Sequence, residues 1–179
     1  MAASKQTRIR RILDDLAKVA RVAEAMIDGE LAMRIITDRA AHYIANPNPQ
    51  HRFLSSDYYD VDHAGFLLMK KTLLRLETLA GFACNATLWI RVKETDLITA
   101  VVQNGQLHRY WTFGEEGRKP EGELAACLST GRITPAPVDG SEDFLTVLAP
   151  VRDSLGDVVG CVEVTTAHPA SKRLAPAWS

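Results

Sequence analysis

The sequence predicts an α+β fold in which a long N-terminal helix and a second helix pack on a five-stranded, mostly antiparallel sheet. Three observations predict it. Residues 5 to about 45 contain no proline and a single glycine, Gly29, and their apolar residues recur at helical spacing. After Gly81 the texture changes to short apolar or alternating segments bounded by turn residues. Finally, Asn104-Gly105 and Ser154-Leu155-Gly156-Asp157 are turn signals between neighbouring segments, so the strands run back and forth.

Taken in order, the first element is read as one helix through residue 45. Ile9, Leu13, Leu16, Ala20, Ala23 and Ile27 step alternately by four and three, the seam of a heptad, and Leu31 and Ile35 follow at steps of four, a local stutter. Met26, Met33 and Ile36 widen the apolar face near Gly29. The first half is expected to pair with a copy of itself and the second half to dock on a domain. Asn46-Pro47-Asn48-Pro49 ends the helix, because each proline disfavours the helical conformation of its predecessor. A second helix is expected over 62–79, with Asp62 as N-cap and Gly81 at the C-terminal end. Strands are expected at 86–92, 96–102 and 106–112, then a short helix over 120–130 closed by Gly131, a connecting loop at 132–142, and a terminal hairpin of 144–151 and 158–164. The tail from Thr166 is expected to fray. The organisation is therefore residues 1–45 as a dimerisation helix, 46–165 as the folded domain and 166–179 as a flexible tail.

Composition narrows the function. Of 179 residues, 21 are basic and 22 acidic, a formal charge of −1, so no overall field draws in nucleic acid. No apolar run approaches the roughly 20 residues that span a bilayer, and the first residues lack a signal peptide's apolar stretch, so a cytoplasmic protein without membrane insertion is expected. Cys84, Cys127 and Cys161 are too far apart for a compact zinc site and odd in number for a disulfide framework. No phosphate loop, nucleophile elbow or zinc-binding His-Glu-x-x-His motif occurs, and no cofactor or metal is called for.

The segment Asp143-Phe-Leu-Thr-Val-Leu-Ala-Pro-Val-Arg-Asp-Ser-Leu-Gly-Asp-Val-Val-Gly-Cys-Val-Glu-Val164 resembles the closing hairpin of single-module Cache sensor domains, relatives of the PAS fold. The element order resembles theirs over roughly residues 10–165. Cache modules usually lie between two transmembrane helices, which this sequence lacks. The resemblance implies a PAS-like sheet, a pocket for a small molecule and a role in signal transduction, and it puts the mouth of that pocket near the end of the third strand. There, Tyr110 and Trp111 offer apolar walls and Arg109 a planar fork of donors suited to a carboxylate. Some amino-acid-binding Cache domains place an arginine close to a tryptophan and a tyrosine, with an acid on a later strand. Here that acid would be Asp143, at a different spacing. Tyr58 and Tyr59 would close over the pocket and Trp89 would line its floor.

Each assignment has a plainer counterpart. Neighbouring strand residues face opposite sides, so one of Tyr110 and Trp111 is core and the other a surface aromatic. Tyr58 and Tyr59 serve equally as a lid on a core without ligand. Arg91 is either solvated or turned inward to an anion. Cys127, on the apolar face of its helix, reads as inert core rather than a nucleophile paired with His108. The expected function is a ligand-sensing domain for an organic acid or amino acid, homodimeric through a coiled coil of its N-terminal helix, non-enzymatic, and acting on an unidentified downstream signalling protein. The alternative is a non-catalytic adaptor that uses its helical surface for protein–protein contacts.

Overall fold

Segments rich in β-branched residues and alternating in character form the middle of the sheet. The computed structural model describes residues 2–46, 61–103, 117–136 and 144–169. Its strands are β1 (Asn85–Arg91), β2 (Ile98–Gln103), β3 (Thr134–Ala136), β4 (Phe144–Arg152) and β5 (Val158–Ala167). They form one sheet in the order β2-β1-β5-β4-β3, and every neighbouring pair is antiparallel. The expected α+β architecture, helices on a five-stranded antiparallel sheet, is therefore what the chain adopts.

Which five strands make the sheet differs in one place. The expected strand at 106–112 lies outside the described residues. The fifth strand is β3, inside the stretch read as a connecting loop. Pro135 cannot donate to a ladder, which argues against a central strand but suits β3, because among the described residues β3 is the sheet's edge and pairs only with β4. β5 also runs past Thr166, where fraying was expected to start. Thr166 and Ala167 belong to β5, and the Thr166 hydroxyl donates to the carbonyl of Ala83 at 2.6 Å.

The single N-terminal helix is in fact three: α1 (Ala2–Met26), α2 (Gly29–Arg34) and α3 (Asp38–Ala45). The break has a local cause and a tertiary one. Asp28 turns extended and caps α2, its carboxylate accepting from Glu30 N at 2.9 Å and Leu31 N at 3.1 Å. Gly29 then lies flat against the β4–β5 turn, where an added Cβ would sit 2.2 Å from the carbonyl oxygen of Arg152. Glu30 completes the contact by accepting from the hydroxyl of Ser154. Thr37 starts α3 in the same way, accepting from Ala40 N at 3.2 Å.

Next come α4 (His63–Glu77), capped by Asp62 as expected, and α5 (Gly122–Thr130). Gly131 closes α5 in the left-handed conformation at φ 61°. Gly81 has no such role. α4 ends earlier, at Thr78, whose hydroxyl donates to Arg75 O at 2.6 Å.

α1 lies over β4 and β5, and α4 over β1 and β2. Leu16, Ala20, Ala23 and Ile27 are buried against this sheet face together with Met69, Leu73 and Leu76 of α4. The heptad seam from Leu16 onward is therefore used inside the monomer. An apolar stripe at steps of three and four looks the same whether a helix or a sheet covers it. Among the described residues no helix is long and apolar enough to cross a membrane.

Candidate functional site

Strand alternation gives the sheet a second face. On β1, Ala86, Leu88 and Ile90 point to the helices, so Asn85, Thr87, Trp89 and Arg91 point the other way. On β5 that second face carries Cys161, Glu163 and Thr165, and on β4 it carries Thr146 and Leu148. α5 covers one end of it. There Cys127, Leu128, Trp89, Ile98, Leu148 and Cys161 form a buried cluster separate from the main core.

The register sorts the second face into rows. Trp89 stands opposite Cys161, which stands opposite Pro150. Thr87 stands opposite Glu163, and Glu163 opposite Leu148. Asn85 stands opposite Thr165, and Thr165 opposite Thr146. The rows thus run from apolar under α5 to polar at the far end. Asn85 and Thr87 are nearly buried there, and Thr146 is fully so. Thr146 and Thr165 share a hydrogen bond of 2.9 Å between their hydroxyls.

At the junction of the apolar and polar rows is the most chemically loaded group on the face. The Trp89 indole Nε1 donates to Glu163 Oε2 at 2.7 Å, and the Arg118 guanidinium lies 4.4 Å from the centre of the indole ring. Arg118 reaches this position because its backbone pairs with Ile98 of β2 in an isolated antiparallel bridge, through hydrogen bonds of 2.8 and 2.9 Å. A cation over an indole and a carboxylate on its N–H edge complement the ring's negative face and positive rim. Trp89→Phe removes the donor to a charged acceptor while keeping an aromatic ring. It should cost about 1.5 kcal/mol of stability by urea unfolding.

Of the residues singled out in the sequence, Trp89 is on this face. Arg109, Tyr110, Trp111, Tyr58, Tyr59 and Asp143 lie outside the described residues, as does His108. Arg91 is exposed, but its guanidinium is engaged: Nε donates to Val158 O at 3.2 Å and Nη2 to Leu128 O at 3.3 Å, tying α5 to the sheet. Glu163, Arg118 and the Thr146–Thr165 pair were not anticipated. Glu163 did leave a signal, as a lone acid inside the otherwise apolar run Val158-Val-Gly-Cys-Val-Glu-Val164. Arg118 left none, because only the tertiary bridge to Ile98 brings it over the indole.

The thiols are held in the neutral form. Burial, with Glu24 adding to it, pushes Cys127 up to about 11, and burial with Glu77 does the same for Cys84. Burial first and neighbouring Cys127 second push Cys161 well above the ordinary thiol range. A thiolate nucleophile at neutral pH is disfavoured at all three positions. Because the folded values exceed the unfolded ones, the contribution of Cys84 and Cys127 to stability is complete below the unfolded thiol pKa and is lost as pH rises through about 11. At pH 8 an aromatic disulfide reagent should leave all three thiols unmodified in the native chain and titrate all three in denaturant.

No protein-family model matches this chain, and no curated protein does. Among solved structures it is similar to the nlh2 GAF domain of A. aeolicus in an inactive state, at 16% identity and a TM-score of 0.43, over 72% of this chain and 80% of that one. It is also similar to a light-oxygen-voltage domain solved with a flavin analogue, at 18% identity and a TM-score of 0.38, over 56% of this chain and 87% of that one. A third similarity is to the ligand-binding domain of the Campylobacter jejuni chemoreceptor Tlp3 in complex with L-valine, at 13% identity and a TM-score of 0.41. That match covers 90% of this chain, which spans 60% of the chemoreceptor domain. The fold assignment itself rests on the sheet order and the helices described above.

Proposed function

We propose that this chain is a ligand-sensing signal-transduction domain that takes a small metabolite, of organic-acid or amino-acid type, against the second face of its sheet. The observation that supports it is the Glu163–Trp89–Arg118 group beside buried Asn85, Thr87 and Thr146. A face that only needed covering would be filled by apolar side chains, since burying polar groups costs free energy that packing alone does not return. In this reading a small polar ligand sits where the apolar and polar rows meet, beside Glu163 and Arg118. Arg109, Tyr110 and Trp111 fall between Gln103, the last residue of β2, and Gly117, and Asp143 immediately precedes β4. In this reading Arg109 takes the ligand's carboxylate, Asp143 a ligand donor, Tyr110, Trp111 and Trp89 its apolar part, and Tyr58 and Tyr59 close over it.

Signalling in this proposal uses the end of the sheet that α5 covers. Arg152 of β4 donates through Nη2 to the carbonyl of Gly131, which closes α5, and through Nη1 to Gly156 of the β4–β5 turn, both at 2.8 Å. Its Nε lies 4.0 Å from Glu24 Oε1 of α1. One side chain therefore touches elements on both faces of the sheet. A ligand that favours one seating of α5 biases the α1–α2 junction by its differential affinity for the two seatings. Residues 1–45 then carry the signal and 46–165 receive it. A homodimer in this reading uses the first turns of α1, where Ile9 and Leu13 are only partly buried, and the protein works in the cytoplasm without inserting into a membrane.

A thermal-shift screen of organic acids, amino acids and purines tests the proposal. A true ligand at a hundredfold excess over its dissociation constant stabilises by about 2.7 kcal/mol and raises the melting temperature by several degrees. The rise should shrink in both Arg109→Ala and Glu163→Gln. A rise undiminished in both contradicts the site.

A further inference from the structure

The outer arc of α4 carries a pattern that neither the core nor the sheet face uses. Met69, Leu73 and Leu76 are buried, yet Leu67, Leu68 and Leu74, with Leu79 just past the helix end, are 40% to 56% exposed. At about 100° per residue, Leu67 and Leu74 form one row and Leu68 and Leu79 another, with exposed Lys71 and Arg75 running between them. No acid of α4 shares that arc. Asp62 caps the helix, accepting from Ala64 N and Gly65 N, and buried Glu77 accepts from Ala86 N at 2.8 Å.

We propose that this arc docks an acidic amphipathic helix of a separate signalling protein, its carboxylates on Lys71 and Arg75 and its flanking apolar side chains on the two leucine rows. Charge complementarity selects this occupant. A second copy meeting the arc face to face would bring Lys71 and Arg75 onto their own counterparts, a like-charge contact that costs rather than contributes. A bilayer is disfavoured by order around the helix. Interfacial helices put their apolar row at the deepest point and their cations at the flanks, whereas here Lys71 lies at the middle of the arc and the leucines at its sides. A helix with a central acidic ridge and apolar shoulders satisfies both features at once, the helix-on-helix form of amphipathic recognition.

The test places a photo-crosslinking amino acid at Leu74 of the full chain in its native cell. A control places it at Leu155, which is 85% exposed on the β4–β5 turn. The proposal expects a Leu74 adduct with a different polypeptide, mapped by mass spectrometry to a segment with acidic residues at helical spacing and apolar residues beside them. Its yield should fall about tenfold in Lys71→Glu/Arg75→Glu, as two attractive contacts become repulsive. Both substitutions are on the exposed arc, so an unchanged melting temperature verifies that the variant is folded. No adduct above the Leu155 control, an adduct with a second copy or with lipid, or a yield indifferent to charge reversal would overturn it.

Discussion

Gly160→Ala is expected to lower the free energy of unfolding by about 3 kcal/mol or more. Gly160 lies on β5 at the centre of the sheet, directly opposite Ile90 of β1. A Cβ at this position would sit 2.2 Å from the carbonyl oxygen of Trp89 and 2.7 Å from Ile90 Cδ1. The methyl of Ile90 can turn away, but the carbonyl is part of the β1 backbone and moves only with the strand. The two strands must separate, which disturbs the ladder on which both sheet faces are built. Gly81→Ala is the control, because nothing lies within 4 Å of a Cβ there. Its urea midpoint should stay within about 0.5 kcal/mol of the parent.

Leu16→Ala is expected to cost about 2–5 kcal/mol, and the size of the loss should not depend on protein concentration. Leu16 is fully buried on the face of α1 that packs against β4 and β5. Truncation leaves a cavity whose walls include the sheet and so relax little. Were Leu16 part of an intermolecular seam, the melting temperature would rise with protein concentration and the substitution would remove that dependence. Unfolding at two concentrations a hundredfold apart separates the two arrangements.

These two sites also show what the sequence made legible. The central strands were readable because β1, β4 and β5 are runs of β-branched and aromatic residues between turn residues, and the Ser154–Asp157 turn needed only its own residues. The break in the N-terminal helix was hidden. The apolar stripe continues through Asp28 and Gly29, and the break combines the Asp28 cap with a close approach to a backbone carbonyl 123 residues away, at Arg152. β3 was hidden for the opposite reason, since Pro135 marks a loop unless the strand is known to be an edge. Of the site, Trp89 was legible as an aromatic on a regular strand. Its contacts were not, because pairing with Glu163 depends on β1–β5 register and the Arg118 contact on an isolated bridge to Ile98.

The proposed seat of the metabolite is the second face of the sheet, and the indole of Trp89 reports on that face directly. Its Nε1–H is committed to Glu163 and its ring to Arg118, so any ligand seated there must alter its surroundings. In a nitrogen–proton correlation spectrum, a compound that raises the melting temperature should shift the Trp89 indole resonance, assigned by its loss in Trp89→Phe, with the same dissociation constant as the thermal effect. A stabilising compound that leaves this resonance in place while shifting amides of α1 or α4 would place the ligand elsewhere and overturn that seat.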